Sequence, residues 1–225
     1  MSIQINGTTG ISGVNGTAGS PAIQGSDTNT GISFGTDEVL INTGGTERAK
    51  IDANGYLRLA AGGIQFKGDT AAANALEEYE EGTWTPVFSS NTATDETASI
   101  FSSGYAYQNG FYTRIGRTVT CACYMQLSGN TPVYTNGGST SSYIVIAGLP
   151  YVVSNGVGHF YTGAVSNFGG WTWSPGYTPT VYAQNNKSYA WLTYAATGGS
   201  GTITASYLDN ANASLLVSFT YFTDQ

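Results

Sequence analysis

The sequence is poor in charged side chains, which make up 9% of its 225 residues against about 25% in an ordinary soluble domain. Its solvent-exposed polar surface must therefore be supplied mainly by the uncharged side chains of Ser, Thr, Asn, Gln and Tyr. Basic residues are the scarcer charge, with 7 Lys and Arg against 14 Asp and Glu, so the net charge is -7. A field of that sign repels phosphate backbones. We therefore expect no nucleic-acid partner.

Metal ligands are also scarce, because the chain has 1 His and 2 Cys. A structural zinc site needs four ligands, so we predict neither a metal site nor a cofactor. Cys121 and Cys123 would share one face of a strand, where a disulfide would be strained, and we expect buried free thiols. The chain opens without a basic segment followed by an apolar one, and it contains no long apolar run. We expect no signal peptide and no membrane-spanning helix.

Groups for catalysis are few in residues 82–225. The acids there are Asp95, Glu96, Asp209 and Asp224, and the lone histidine is His159. A glycosidase needs two carboxylates that flank the scissile bond, and Glu96 with Asp209 is the one pair worth considering. No nucleophile elbow accompanies His159, and the chain has no room for a long catalytic β-helix. We predict that the protein is not an enzyme.

Short runs of β-branched and aromatic residues, separated by glycine-rich turns, dominate the rest of the chain and predict an all-β fold. Residues 83–225 have the pattern of a β-sandwich or jelly roll. Within them, residues 118–127 alternate strictly, which places Val119, Cys121, Cys123, Met125 and Leu127 on one inward face. Such a face needs a second layer to cover it.

The first third of the chain has too few apolar residues for a core of its own. Residues 1–35 are mostly Gly, Ser, Thr and Asn with single isoleucines, which favours an extended ribbon over a flexible linker. Residues 36–68 contain short alternating strands with one thin apolar stripe, marginally stable alone. Three copies around one axis can turn these stripes inward. We therefore expect a homotrimer with a short β-prism-like shaft.

Residues 69–82 separate this shaft from the C-terminal part. Asp69 followed by three alanines predicts one short helix with an N-cap. Glu77, Glu78, Glu80 and Glu81 follow as an acidic group, which we interpret as a solvated collar, with a cation site as the alternative.

Two motifs resemble phage tail-fibre proteins. They are residues 42–55 (NTGGTERAKIDANG) with 61–66 (AGGIQF), and residues 76–86 (LEEYEEGTWTP). In that family the first stretch belongs to a trimeric β shaft and the second opens the distal domain, and the resemblance covers about residues 36–88. Residues 1–35 look like the ribbon by which some phage fibres are held to the virion. The turn at 114–117 is also similar to a turn of fibre tips, but the remaining tip matches nothing familiar.

The resemblance implies a subunit of a phage tail fibre, located in the virion. The N-terminus would bind other virion structural proteins, and residues 83–225 would form the receptor-binding tip for a host surface glycan or an outer-membrane component. A head fibre or capsid decoration protein is the alternative, and a polysaccharide-degrading tailspike is a further one.

Loop aromatics and amides are the candidate ligand-binding residues of the tip. One set is Trp171, Trp173 and Tyr177, in a Gly- and Pro-rich segment typical of a surface loop. The second set is Tyr134, Tyr182, Gln184 and Asn185. Aromatic rings can stack on the apolar faces of sugars, and side-chain amides can form hydrogen bonds with the sugar hydroxyls. Alternatively, the tryptophans are buried beneath the loop or in a subunit interface. The alternative for the second set is that its residues lie in solvated loops without a ligand-binding role.

Overall fold

The computed structural model describes residues 4–6, 10–12, 14–93, 95–129, 134–158, 160–172, 174–208 and 212–225. The chain divides into two compact units, Met1–Glu77 and Glu78–Gln225. The strands of the first unit are β1 (Gln4–Asn6), β2 (Gly10–Ser12), β3 (Gly16–Thr17), β4 (Ser20–Pro21), β5 (Ile23–Gln24), β6 (Gly31–Gly35), β7 (Glu38–Thr43), β8 (Thr46–Ile51) and β9 (Leu57–Leu59). Those of the second are β10 (Tyr79–Trp84), β11 (Val87–Ser90), β12 (Tyr105–Ile115), β13 (Thr118–Leu127), β14 (Ile144–Ala147), β15 (Phe160–Gly169), β16 (Thr178–Gln184), β17 (Tyr189–Ala196), β18 (Gly199–Thr202) and β19 (Ser214–Phe222).

The all-β prediction is confirmed, but the predicted helix within residues 69–82 is wrong. The structure has a single 3₁₀ turn there, Ala72–Asn74, and the first strand of the second unit begins at Tyr79. Alanine-rich sequence raises helix propensity, yet tertiary pairing overrides it. Here the backbone of Leu76 pairs with Ile64. Among the described residues, no helix is long and apolar enough to span a membrane.

Strands β5 to β9 form one antiparallel sheet in sequence order. This sheet crosses the boundary expected between residues 35 and 36, because β5 and β6 belong to it. The register places the apolar side chains on one face. Val39 pairs with Ile51, which pairs in turn with Leu57 on the next strand. Ile41 likewise pairs with Ala49, which pairs with Leu59. These side chains remain open in the single chain: Ile41 is 48% exposed and Leu57 is 61% exposed. We call the set Val39, Ile41, Ile51, Leu57 and Leu59 the apolar face.

The opposite face of the same sheet is polar and partly covered. It carries the ion pairs Lys50–Glu38 (3.0 Å) and Arg58–Asp52. Ser33 and Asn42 are buried there and share a hydrogen bond of 2.8 Å. The N-terminal part of the unit lies beside β6, since β3 and β4 contact that strand and Phe34 N–H donates to the Asn15 carbonyl. Within the first unit, polar residues on this face are buried while the apolar face stays exposed.

The second unit is one ten-stranded antiparallel sheet in the order β10-β12-β13-β19-β15-β16-β17-β14-β11, with β18 added beside β17. The two edge strands, β10 and β11, follow each other in the chain and are joined only by Thr85 and Pro86. A flat sheet of this width could not bring its edges so close. The sheet curls into a half-barrel, so one continuous sheet supplies both layers that the sequence required.

The concave face of this half-barrel holds the core. The predicted inward face of β13 is confirmed, because Val119, Cys121, Cys123, Met125 and Leu127 are all buried. The two cysteines are free thiols, and burial raises the pKa of Cys121 to about 12. Such thiols are packing residues rather than reactive groups.

Glycines opposite aromatic rings let the sheet bend tightly around this core. Gly110 pairs with Trp84, and a Cβ at position 110 would lie 2.6 Å from the indole nitrogen. Gly82 pairs with Tyr112, whose ring would lie 2.7 Å from a Cβ at position 82. Each ring thus lies across the bare backbone of its neighbouring strand, a close approach that only glycine permits.

Candidate ligand-binding surface

Trp171 is a core residue rather than a loop aromatic on the surface. Its indole N–H donates to the Ser214 carbonyl at 2.8 Å, and its ring meets Phe88 edge to face at 6.0 Å. The residue is 7% exposed. Of the two alternatives left open by the sequence, the tucked position is the one observed, and Trp171 is therefore not available to stack on a ligand.

Trp173 lies outside the residues that the structure describes, but Tyr177 can be placed. Ser174–Tyr177 forms a tight turn in which Tyr177 N–H donates to the Ser174 carbonyl at 3.1 Å. Pro175 occupies the second position and Gly176 the third with φ +83°, as a type II turn requires. The turn lays the Tyr177 ring on Tyr194, with centroids 4.2 Å apart and planes 10° from parallel.

Tyr134 packs against other residues of the second unit. Its ring packs on Phe101 with centroids 5.6 Å apart, and its hydroxyl donates to the Ala205 carbonyl at 3.4 Å. The side chain is half-buried. These contacts account for Tyr134 as a packing residue.

Tyr182 belongs to a row of four rings on the convex face of the sheet. Tyr182 of β16 pairs with Trp191 of β17, while Phe160 of β15 lies diagonally beside Tyr182 and Tyr143 directly precedes β14. We call Phe160, Tyr182, Trp191 and Tyr143 the aromatic row. Successive ring centroids are 5.9 Å, 6.4 Å and 6.4 Å apart. The outer two rings are the more open, with Phe160 56% and Tyr143 44% exposed. The row therefore offers aromatic surface to solvent.

Polar groups flank the aromatic row. The Gln184 Oε1 atom accepts from the Trp191 indole N–H at 3.1 Å, which orients the amide. Among the residues that the structure describes, the Gln184 amide nitrogen, the Tyr182 hydroxyl and the Asn185 amide have no hydrogen-bond partner. Desolvation by burial raises the pKa of Tyr182, so its hydroxyl stays neutral at physiological pH. The row thus combines flat apolar faces with unpaired neutral donors and acceptors.

A groove of about 360 Å³ lies at the Phe160 and Tyr182 end of the aromatic row. Its lining side chains are Phe160, Thr162, Thr180, Val181, Tyr182 and Thr193. The Thr180 and Thr193 hydroxyls hydrogen-bond to each other at 2.7 Å. No charged side chain lines the groove, so it suits a neutral ligand with apolar faces.

Sequence reasoning found Tyr182, Gln184 and Asn185 but missed Phe160, Trp191 and Tyr143. Residues 178–184 and 189–196 alternate, and that period placed Tyr182 and Trp191 each on one face of its own strand. Residues 189–196 carry aromatic residues on both faces, with Trp191 on one and Tyr194 on the other, so the pattern did not tell the core face from the exposed one. Only the sheet order brings the four rings together.

The acidic group at 77–81 does not act as one cluster. The Glu80 carboxylate accepts hydrogen bonds from the hydroxyls of Tyr112 and Tyr151, which hold its pKa below the ordinary value, while Arg114 packs over the Tyr151 ring. Tyr79 instead donates to Glu81 at 2.5 Å. Among the described residues, no three or more His, Cys, Asp or Glu side chains are arranged to hold a metal ion.

Two of the catalytic candidates make local contacts, and the pair Glu96 with Asp209 cannot be placed because Asp209 lies outside the described residues. Asp95 accepts from the backbone and hydroxyl of Thr97 and so closes its own turn. Asp224 pairs with Arg117 and accepts from the Asn155 N–H. Asp209 and His159 are outside the described residues, so the absence of an active site stays a prediction.

Comparison with known proteins adds no family to this description. No protein-family model matches the chain, and no curated protein or solved structure is similar enough to count as a match.

Proposed function

We propose that the chain is a subunit of a phage tail fibre, a homotrimer whose second unit binds a neutral saccharide of the host-cell surface. The observation that carries the binding part is the aromatic row, with its open rings, its uncharged groove and its unpaired polar groups. The tail-fibre assignment itself is supported by the shaft and junction motifs of the sequence.

The ligand class follows from the chemistry of the row. A pyranose has an apolar face that stacks on aromatic rings and a rim of hydroxyls that amides and phenols can read. The Phe160 and Tyr182 rings and the threonine hydroxyls line the groove, the Gln184 and Asn185 amides lie near it in sequence and strand order, and no charged side chain lines it. Rings such as Tyr and Trp also lose little side-chain entropy on binding, which makes them effective anchors.

Self-association is supported by the apolar face of the first unit. Its exposed aliphatic side chains are contiguous across three strands, whereas Ser33, Asn42 and Asp52 on the opposite face are already buried within the chain. A contiguous apolar surface of this kind marks a protein contact. Sister copies present the same stripe, so a closed ring of three can bury all of them around one axis.

Light scattering on the full chain tests the assembly. We expect a mass three times that of the 23.5 kDa chain. A particle of a single chain's mass at micromolar concentration would contradict the fibre.

Calorimetric titration with neutral oligosaccharides tests the tip. The panel contains glucose, galactose, mannose and N-acetylhexosamine oligomers. We expect Phe160→Ala to weaken binding at least about fivefold, since loss of an anchoring ring costs on the order of 1 kcal/mol. Phe111→Ala is the matched control, because Phe111 is a phenylalanine that is 62% exposed on β12, outside the row.

Two results would contradict this role of the row. One is a lack of affinity for every sugar of the panel. The other is a lower assembly mass for Phe160→Ala with unchanged binding, which would make the row a contact between subunits.

A further inference from the structure

A second groove of the same unit shares no lining residue with the aromatic row. Its volume is about 420 Å³, and its lining side chains are Thr172, Ser174, Thr204, Ser206 and Tyr207. Four of these five carry aliphatic hydroxyls. We call this the hydroxyl groove.

One wall of the hydroxyl groove carries Thr172 and Ser174. Trp171 is anchored in the core and forms a β-bridge with Leu208, while Thr172 N–H donates to the Tyr207 carbonyl at 2.6 Å. Ser174 begins the type II turn that its carbonyl closes with Tyr177 N–H. Thr172 and Ser174 are therefore each held by backbone bonds before any ligand arrives.

The other wall is the 3₁₀ turn Ala205–Tyr207. Ala205 is fully buried and its N–H donates to the Ser142 carbonyl at 2.9 Å, and Ser206 N–H donates to the Thr140 carbonyl at 2.9 Å. These bonds hold the turn against the loop that precedes β14. Both walls are thus fixed by backbone bonds, which limits the ordering cost of binding.

The lining is polar and neutral. The Thr204 and Ser206 hydroxyls lie 2.7 Å apart and hydrogen-bond to each other. Among the residues that the structure describes, the Thr172 and Ser174 hydroxyls have no hydrogen-bond partner. Hydroxyls both donate and accept, so such a lining matches groups that do the same.

Aromatic surface continues from one side of the groove. The Tyr207 ring lies 6.1 Å from Tyr194, which in turn stacks on Tyr177 at 4.2 Å. Gly201 pairs with Tyr194 and leaves room for its ring, since a Cβ there would collide with it. The groove therefore has a flat aromatic side next to a row of hydroxyls.

From this geometry we infer that the hydroxyl groove is a second saccharide-binding site, which takes one or two neutral sugar residues. The ring faces of the sugar rest on the Tyr207 side, and its hydroxyls exchange hydrogen bonds with Thr172, Ser174 and the Thr204–Ser206 pair. A volume of a few hundred Å³ is the size of a small-ligand pocket. The two grooves share no lining residue, and they adjoin where Thr204 forms a β-bridge with Tyr143 at one end of the aromatic row.

Threonine methyl groups report on both grooves, and Thr172 distinguishes the hydroxyl groove from the aromatic row because Thr204 forms a β-bridge with Tyr143 of that row. Thr172 and Thr204 line the hydroxyl groove, whereas Thr162, Thr180 and Thr193 line the groove along the aromatic row. Full-length protein with ¹³C-labelled threonine methyls is titrated with methyl glycosides of glucose, galactose, mannose and N-acetylglucosamine. We expect saturable shifts of the Thr172 and Thr204 signals with at least one of these sugars.

The variant Ser174→Ala with Ser206→Ala keeps both reporters and removes two hydroxyls. We expect it to raise the dissociation constant at the hydroxyl groove at least about fivefold, because each lost hydrogen bond costs about 0.5–1.5 kcal/mol. Ser218→Ala is the matched control, since Ser218 is an exposed serine on β19 outside both grooves. Unshifted Thr172 and Thr204 signals with every sugar overturn the inference, whether or not the signals of the aromatic row respond. An unchanged affinity in the double variant overturns it as well.

Discussion

The two units of the chain treat their apolar side chains in opposite ways. Among the described residues of the first unit, Ala49 and Pro21 are the only buried apolar side chains, while Ile41 and Leu57 stand open. The second unit buries a continuous cluster that includes Phe88. The second unit therefore has a hydrophobic core within one chain, whereas the first unit leaves most of its apolar side chains exposed.

The four tryptophans make this contrast measurable. All of them lie in the second unit, at positions 84, 171, 173 and 191. Tryptophan fluorescence during urea unfolding therefore follows the second unit in the intact chain.

The largest effect is expected from Phe88→Ala. Phe88 is fully buried and packs against Phe101, Tyr105 and Trp171. Truncation leaves a cavity among rings and should cost about 3–5 kcal/mol. Urea unfolding followed by tryptophan fluorescence measures it, and Phe111→Ala is the exposed control. A loss below about 1 kcal/mol would mean that the second unit does not depend on this core.

A smaller loss is expected from Gly110→Ala. The added methyl group would collide with the buried Trp84 indole, which must shift out of its place across the strand. Overpacking of this kind costs about 1–3 kcal/mol. Gly129→Ala is the matched control, because nothing lies within 4 Å of a Cβ at that exposed position. Equal stability of the two variants would contradict the requirement for glycine opposite Trp84.

Acid should destabilise the second unit partly through Glu80. Hydrogen bonds from Tyr112 and then Tyr151 hold the pKa of Glu80 below its ordinary value of 4.5 in the folded state. The stabilisation is therefore present above the unfolded pKa and is lost as pH falls through the lowered folded pKa. Between pH 6 and pH 3, Glu80→Gln should lose less stability than the unmodified chain. Glu78→Gln is the control, and identical pH profiles for all three proteins would remove Glu80 from the acid response.

The smallest change in the second unit is expected from Ile41→Thr combined with Leu57→Thr. Both side chains belong to the apolar face of the first unit, so the tryptophan-reported unfolding should move by less than about 0.5 kcal/mol. The assembly should dissociate at a higher protein concentration than before, because less apolar area is buried between copies. Light scattering over a dilution series measures this. Dissociation at an unchanged concentration would show that the apolar face is not the contact.

Sequence patterns were most reliable where one period dominated. Residues 118–127 alternate without a break, and the strand Thr118–Leu127 has those bounds and that inward face. The alanine run after Asp69 led to the wrong prediction of a helix, because a helix formed by these residues would have no apolar stripe to bury. Strand pairing of the neighbouring backbone then decided the local structure.

The candidate site was only partly predictable for a related reason. Trp171 lies in a Gly- and Pro-rich segment typical of a loop, yet a β-bridge to Leu208 draws it into the core. Trp191 lies in a strand that resembles any core strand, yet it faces outward beside Tyr182. Local sequence shows which residues share a face of one strand, but not which face the rest of the chain covers.

The sequence by itself determined the all-β class, the inward face of β13 and the shortage of apolar residues in the first unit. These depend on composition and on a two-residue period, which are local properties. Tertiary structure alone decided that β10 and β11 become opposite edges of one curled sheet, and which aromatic rings remain open. Those outcomes depend on pairing between strands far apart in the chain, and side chains from several strands meet only after that order is set.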